Sequence, residues 1–110
     1  MIVKWFPDAK YVMKQTASYI QTQFGEISCK VFLREVVRTE KLLRENPHLG
    51  SVEPLLSDLP KTYRSIVVQK LNKIVYYVED NTIYIVDFWD VRREPRKQRE
   101  HTIAGTNNIE

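Results

Sequence analysis

The sequence contains a single cysteine among 110 residues, Cys29, and this excludes a disulfide bond within the chain. A chain without disulfides is typical of a reducing compartment. Cys29 lies in an apolar helical pattern, which favours a core position over the role of a nucleophile. The sequence also lacks a secretory signal and any apolar run as long as a membrane span. We therefore expect a cytoplasmic protein that does not associate with membranes.

The residue types that build common cofactor and catalytic sites are also scarce. The chain has three glycines and two histidines. It contains no glycine-rich phosphate loop, no clustered His and Cys with metal-ligand spacing, and no recognisable Ser-His-Asp arrangement. We expect neither a metal ion nor a cofactor. Repeats, low-complexity tracts and linkers are absent as well, so the chain is interpreted as one domain spanning residues 1–110.

Positive charge is concentrated near the end of the chain. The net charge is only +3 and the isoelectric point is about 9.0. Five of the cations lie within eight residues: Arg92, Arg93, Arg96, Lys97 and Arg99. Such a cluster can meet phosphates or an acidic protein. A solvated tail over residues 94–110, which could be flexible, is an equally good interpretation of the same pattern.

Two dense apolar runs organise the sequence, IVYYV at residues 74–78 and IYIVDFW at residues 83–89. Their content of Ile, Val and aromatic residues predicts β-strands. Asp80 and Asn81 between them tolerate the left-handed backbone of a two-residue hairpin turn. This turn pairs Val78 with Ile83, Tyr77 with Tyr84 and Tyr76 with Ile85. A third strand, residues 63–68, joins through a turn near residues 70–72 and completes an antiparallel meander.

The first half of the chain predicts a strand and two helices. Residues 1–6 form a short strand at the edge of the meander or inserted beside it. Asp8 is the predicted N-cap of a helix that runs to residue 24 and ends at Gly25. A second helix carries an apolar face from Ile27 to Leu43 and stops at Asn46 and Pro47. The prediction is an α+β fold in which this helical pair covers one face of the sheet.

Both faces of the predicted sheet are largely apolar. The first face carries Tyr63, Ser65, Val67, Ile74, Tyr76, Val78, Ile83 and Ile85. The second carries Arg64, Ile66, Val68, Lys73, Val75, Tyr77, Tyr84, Val86 and Phe88. Since the helical pair can cover only one face, the other meets the tail, a partner or another copy of the chain. A one-residue change at the first turn would exchange the faces of residues 63–68.

Several segments recur in a characteristic order along the chain: Asn46-Pro47, Gly50, Tyr63-Arg64-Ser65, residues 73–77, and residues 83–89 followed by Asp90-Val91-Arg92-Arg93. With the first strand and the helical hairpin, their order and spacing resemble the RelE/ParE superfamily of toxins from type II toxin–antitoxin modules. The likeness covers nearly the whole chain and is greatest for the ParE-like branch, also called plasmid stabilisation proteins. It implies a helical hairpin against a curved antiparallel sheet, and a neighbouring antitoxin that wraps the toxin. The antitoxin is expected across the second apolar face and the basic tail.

The superfamily divides by target, and the resemblance implies a test for each branch. RelE-like members cleave messenger RNA on the ribosome, with basic residues on the sheet and a tyrosine in the C-terminal segment. Arg64, Lys73 and Arg93 match basic positions of that pattern, but Ile66 occupies another and no tyrosine follows Tyr84. Cleavage needs cations and an acid–base pair around one phosphate. The catalytic set is therefore incomplete, and His101 in the polar tail is interpreted as solvated.

The sequence thus favours a ParE-like inhibitor of DNA gyrase, without catalytic residues of its own. The alternatives are a RelE-like ribonuclease acting on the ribosome and its messenger RNA, and a degenerate, non-toxic binding module. A homodimer and a heterotetramer with the antitoxin are both compatible with the pattern. Arg64 is interpreted either as a target contact or as the partner of Glu53 or Glu79, and Trp89 and Asp90 as structural. The predicted target-binding residues are Arg64, Lys73, Tyr77, Arg92, Arg93 and Arg96.

Overall fold

A five-stranded sheet with helices on both faces forms the molecule. The computed structural model describes residues 1–93 and 95–107. The elements in chain order are β1 (Ile2–Trp5), α1 (Pro7–Phe24), α2 (Glu26–Glu45), β2 (Ser51–Val52), a short 3-10 helix (Pro54–Leu56), β3 (Arg64–Val68), β4 (Asn72–Glu79), β5 (Thr82–Asp90) and α3 (Pro95–Asn107). The predicted α+β class is confirmed. The segment between α2 and β3 contains β2 and the short 3-10 helix.

The strand order is β1-β5-β4-β3-β2, and the sheet is mixed rather than purely antiparallel. The meander β3-β4-β5 and strand β2 pair antiparallel. Strand β1 lies at one edge and pairs in parallel with β5, with Ile2 opposite Thr82 and Trp5 opposite Ile85. The predicted strand at the beginning of the chain is confirmed, and it occupies the edge next to the last strand.

The hairpin between β4 and β5 has the predicted turn. Asp80 and Asn81 adopt φ values of 49° and 60°, the left-handed conformation that a tight hairpin turn requires. The predicted pairs form as well, including Val78 with Ile83 and Tyr77 with Tyr84. The sequence therefore identified this turn correctly, because Asp and Asn tolerate that backbone better than other non-glycine residues.

The predicted register of β3 is wrong by one residue. Gln69 and Lys70 take the left-handed conformation, with φ values of 49° and 67°, so that Val68 pairs with Asn72 and Ile66 with Ile74. The faces of β3 are therefore exchanged relative to the prediction. Neither Gln nor Lys is a typical residue for a positive φ, so a turn near residues 70–72 was predicted but its register was not.

A β-bulge in β5 reverses the predicted faces of the residues at the end of that strand. Tyr76 pairs with Ile85 whereas the adjacent Val75 pairs with Asp87, so Val86 is an extra residue on β5. Phe88 consequently lies on the same face as Ile85, and not beside Tyr77 and Tyr84 as predicted. On that face its ring meets the edge of the Phe32 ring of α2, with 5.9 Å between the ring centroids.

Helices α1 and α2 form the predicted hairpin and cover the face of the sheet that carries Ile85 and Phe88. Helix α1 begins at Pro7, and its N-cap is Phe6 rather than the predicted Asp8. Proline suits the first helical position because its φ is preset and its missing N–H would have no partner there. Gly25, with φ 95°, ends α1 as predicted and directly precedes α2.

The buried side of α2 is narrower than predicted. Phe32, Val36 and Leu43 are buried, and Cys29 lies in the core as expected. Ile27 and Val37, however, are 80% and 61% exposed. Each residue of a helix is rotated by about 100° from the one before it, so Val37 points away from the side that buries Val36.

Helix α3 covers the second face of the sheet. Val75 of β4 and Trp89 of β5 are 0% and 2% exposed under it. The expectation of an open apolar face for an antitoxin is therefore wrong for the described residues, because the tail of the same chain covers that face. Of the predicted tail 94–110, positions 94 and 108–110 lie outside the described residues.

Candidate interaction site at the end of the sheet

Arg92 is held at the end of β5 by the carboxylate of Asp90. Its Nε donates to Oδ1 at 3.0 Å, and its Nη2 donates to Oδ2 at 2.7 Å. The backbone N–H of Arg92 donates to Oδ1 as well, at 2.8 Å. The side-chain hydrogen bonds from Arg92 lower the pKa of Asp90 and raise that of the arginine. Asp90, interpreted from the sequence as structural, thus holds Arg92 as a positioned cation at the surface.

Arg93 is held by an aromatic ring instead of a carboxylate. Its guanidinium lies over the ring of Trp89, 4.3 Å from the ring centroid. Trp89 itself is buried, as predicted, whereas Arg93 is exposed. A cation over an aromatic face is attracted by the ring quadrupole. Consecutive arginines are thus fixed by different partners at one corner of the sheet.

An open groove of about 400 Å³ begins at this corner and runs between α1 and the ends of β4 and β5. Val12, Ile20 and Phe88 contribute apolar surface to it, and Tyr11 and Tyr19 of α1 line it with most of their side-chain surface exposed. Grooves with apolar walls and a few charged groups at one end are typical of sites for amphipathic peptides. The complete lining is Tyr11, Val12, Gln15, Thr16, Tyr19, Ile20, Leu71, Asn72, Phe88, Asp90, Arg92 and Arg93.

Arg64 lies elsewhere and stabilises the loop after α2. Its Nη1 donates to the carbonyl of Gly50 at 2.9 Å, so neither predicted partner, Glu53 or Glu79, is the contact seen. The N–H of Gly50 donates to the hydroxyl of Tyr76, which in turn donates to the carbonyl of Pro47 at 2.8 Å. Burial raises the pKa of Tyr76. A Cβ at Gly50 would lie 2.7 Å from the carbonyl oxygen of Ser65, so this close approach requires glycine.

Lys73 is the partner of a buried carboxylate. Its Nζ donates to Oε2 of Glu53 at 2.8 Å, and Glu53 is only 4% exposed. Burial alone would raise the pKa of Glu53, but hydrogen bonds from Lys73 and Ser65 outweigh it and the pKa is lowered. Lys73 therefore neutralises an internal charge, a role that the sequence analysis did not assign to it.

Tyr77 packs inside an aromatic cluster on the second face. Its ring stacks on Tyr84 with 5.0 Å between centroids and meets the edge of Tyr63 at 5.7 Å. Lys61 lies over the same ring, 4.8 Å from its centroid. Tyr77 is buried, and burial raises its pKa. Arg96, the last predicted contact residue, is exposed on α3.

The predicted contact residues do not form one site. Arg92 and Arg93 share the groove, and Lys73 lies nearby because it pairs with Trp89 across the strands. Arg64 pairs with Tyr76, three residues from Lys73 on β4, and therefore belongs to the opposite face. The three cations of the ribonuclease pattern, Arg64, Lys73 and Arg93, thus do not converge around one phosphate position.

A buried polar cluster under α3 was missed by the sequence analysis. Asp87 is fully buried and accepts hydrogen bonds from the hydroxyl of Thr102 and from the backbone N–H of Phe88. His101 Nδ1 lies 2.8 Å from Asp87 Oδ1, without the angle of a linear hydrogen bond. The imidazole also packs against Trp89. The interpretation of His101 as a solvated histidine is therefore wrong.

Part of the basic tail cluster also has a structural role. Arg99 of α3 donates to both carboxylate oxygens of Asp58, at 2.7 and 3.1 Å, and to the carbonyl of Leu55 at 2.8 Å. Arg99 therefore fastens α3 to the segment around the 3-10 helix. Arg96 and Lys97, in contrast, are exposed on α3. For these two cations, both a solvated tail and a contact with a partner are compatible with the structure.

Two other kinds of feature are absent from the described part of the chain. No group of three or more His, Cys, Asp or Glu residues within 1–93 and 95–107 has the arrangement of a metal site. No helix in the same ranges is long and apolar enough to cross a membrane.

Comparison with known proteins identifies the fold. Neither the protein-family models nor the curated proteins contain a match. Among solved structures, the chain is similar to one from the chromosomal ParDE toxin–antitoxin system of P. aeruginosa. The similarity covers 83% of this chain and 96% of that chain, with a TM-score of 0.67 and 18% sequence identity. The chain therefore shares its fold with that chain of the ParDE system.

Proposed function

We propose that this chain is the toxin of a type II toxin–antitoxin module and that it acts as a ParE-like inhibitor of DNA gyrase. The observation that carries the proposal is the fold, shared over most of the chain with a member of a ParDE system. The separation of Arg64 from Lys73 and Arg93 supports an inhibitor over a ribonuclease. A ribonuclease needs its cations and acid–base groups around one phosphate.

The corner formed by Arg92 and Arg93 is the proposed contact with the target. Both guanidinium groups are exposed and held in place, one by Asp90 and the other by Trp89. Because their positions are fixed before binding, little side-chain entropy is lost when a partner meets them. Exposed arginines next to a groove with apolar walls are typical of residues that dominate binding energy.

The antitoxin is the proposed occupant of the groove beside α1. The sequence analysis expected it on the second sheet face, which α3 covers. The groove instead offers exposed Tyr11 and Tyr19 and apolar walls, with Arg92 and Arg93 at one end. A segment with apolar anchors and carboxylates toward the arginines matches this surface, and such segments order on binding. Neutralisation then follows because the antitoxin covers the arginines.

The deciding experiment is induction of the chain in cells without antitoxin, together with a supercoiling assay on purified gyrase. We expect an induced DNA-damage response and filamentation with intact messages, and inhibited supercoiling in the assay. The Arg92→Ala, Arg93→Ala double variant should weaken inhibition about tenfold or more, since two preorganised charges are lost. Arg38→Ala with Lys41→Ala is the matched control, because both cations are exposed on α2.

Three results would contradict the proposal. Rapid translation arrest with cut messages, abolished by Arg93→Ala, would favour the ribonuclease. Growth without any effect would favour a non-toxic binding module. Equal loss of inhibition in the α2 control would mean that net charge, rather than this corner, determines the effect.

A further inference from the structure

The indole of Trp89 is buried outside the main apolar core. Trp89 is 2% exposed, yet among the described residues it does not belong to the contiguous cluster of buried apolar side chains that contains its neighbour Phe88. Its ring meets two polar side chains instead, the guanidinium of Arg93 and the imidazole of His101. Contacts with these two residues therefore help to determine how the indole is oriented.

The imidazole of His101 contacts two residues of the same strand. Asp87 and Trp89 are two residues apart on β5, so their side chains project from the same face of the sheet. His101 reaches both of them from α3. Its Nδ1 lies 2.8 Å from Oδ1 of Asp87, and its ring centroid lies 5.3 Å from that of Trp89. Asp87 is fully buried and gives the imidazole a fixed point beside the indole.

Helix α3 is fastened to the rest of the molecule on both sides of His101. Thr102, the next residue, donates a hydrogen bond to Asp87. Arg99, two residues earlier, donates to the carboxylate of Asp58 and to the carbonyl of Leu55. These contacts hold the backbone around His101 in place. The imidazole is therefore supported by neighbours whose own positions are fixed, as a preorganised site requires.

We infer that His101 is a positioning residue for Arg93. The guanidinium of Arg93 lies 4.3 Å from the centroid of the Trp89 ring. Because an aromatic ring is negative on its face and positive at its edge, this attraction depends on the orientation of the indole. His101, packed against the same ring, holds the orientation that carries Arg93. The inference deepens the proposed function and rests on it, because it adds a residue that does not line the groove to the contact with the target.

Arg92 provides an internal comparison. Its guanidinium is held by the carboxylate of Asp90, through hydrogen bonds of 3.0 and 2.7 Å. That contact lies within the end of β5 and involves no residue of α3. The position of Arg93 should therefore depend on His101, whereas that of Arg92 should not.

Side-chain NMR of the purified chain tests the positioning directly, without gyrase. Ring currents shift protons over the face of a ring upfield, so the side-chain signals of Arg93 should be shifted in the wild type. His101→Gln keeps a donor for Asp87 but has no ring, and should return these signals toward their ordinary values. His101→Phe keeps a ring against Trp89 and should retain the shift. The signals of Arg92 should stay unchanged in both variants.

A double-mutant cycle in the supercoiling assay measures the consequence for inhibition. His101→Gln should weaken inhibition about two- to fivefold, the factor that corresponds to an exposed cation–π contact. In an Arg93→Ala background the same substitution should have no further effect, because residues that act through one contact are not additive. Tyr76→Phe is the matched control for lost stability, since the hydroxyl that it removes bonds to the loop after α2. It should leave the Arg93 shift and inhibition unchanged.

Several results would overturn the inference. The Arg93 signals could be unaffected by His101→Gln, or they could be lost equally in His101→Phe or in Tyr76→Phe. Additive effects of His101→Gln and Arg93→Ala on inhibition would also contradict it. If Arg93→Ala alone left inhibition intact, the proposed contact with the target would be wrong, whereas the NMR signals would still decide whether His101 positions Arg93.

Discussion

The hydroxyl of Thr102 on α3 donates a hydrogen bond to the carboxylate of Asp87 at the centre of β5. Both residues are fully buried. The contact joins α3 to the middle of the sheet through a side chain that has no access to water. A buried carboxyl group is costly unless donors surround it, so the burial of Asp87 depends on α3 holding Thr102 beside it.

Thr102→Val should destabilise the fold because it removes this donor without changing the side-chain shape. We expect a loss of about 1–3 kcal/mol, the cost of leaving a buried acceptor without its partner. Urea unfolding followed by Trp fluorescence measures it. Thr22→Val is the control, since Thr22 is an exposed helical threonine that donates to the carbonyl of Ser18, and it should change stability by less than about 0.5 kcal/mol. Equal effects of the two variants would refute the role of Asp87.

Lys73→Met should be destabilising because it leaves Glu53 buried without its cation. The expected cost is about 1–3 kcal/mol at neutral pH, measured by chemical denaturation. Lys30→Met removes a comparable pair with Glu26 in which both side chains are about two-thirds exposed or more, and should cost almost nothing. A neutral Lys73→Met variant would show that Glu53 does not depend on this partner.

Stability should fall in acid partly through Glu53. Its folded-state pKa is lowered from the ordinary value of 4.5, so the ionised form contributes stability that is fully present above that value. The contribution is lost as the pH falls through the lower, folded-state pKa. The difference in unfolding free energy between wild type and Glu53→Gln should therefore shrink on acidification below about pH 4.5. A difference that stays constant or grows in acid would exclude Glu53 as the titrating group.

Tyr76→Phe should loosen the loop after α2. The variant keeps the ring but removes the hydroxyl that accepts from Gly50 and donates to Pro47. Because the Gly50 N–H is left buried, we expect a cost of about 1–3 kcal/mol and faster amide exchange around residue 50. Tyr11→Phe, at an exposed position, is the comparison and should be neutral. If exchange at residue 50 were unchanged, the hydroxyl would not be what holds the loop.

Local chemistry determined which parts of the fold the sequence predicted. Asp80, Asn81 and Gly25 have side chains suited to a positive φ, and the turns that they form were predicted correctly. Gln69 and Lys70 adopt the same backbone because strand pairing demands it, and their side chains carry no signal of it. Val86 likewise looks like any strand residue, although it forms the bulge that turns Phe88 toward α2.

The residues of the candidate site were also predicted only in part. Arg92 and Arg93 were identified because they follow the last strand in sequence, and that position fixes where they lie. Lys73 was assigned to target binding because the sequence does not reveal its structural partner. That partner, Glu53, is twenty residues away and becomes a neighbour only after folding. Asp87 was the one available signal for the cluster under α3, since a carboxylate within an apolar strand needs a buried partner.

The parallel pairing of β1 with β5 has a consequence for folding during synthesis. Trp5 and Ile2 have no strand beside them until residues 82–85 exist, because no other strand pairs with β1 in the described chain. At ordinary translation rates, that separation corresponds to roughly 4–15 s between the synthesis of the two strands. Contacts so distant in sequence also form slowly. The nascent chain therefore carries β1 unpaired until β5 has been made, and the corner that holds Arg92 and Arg93 is completed only after that strand.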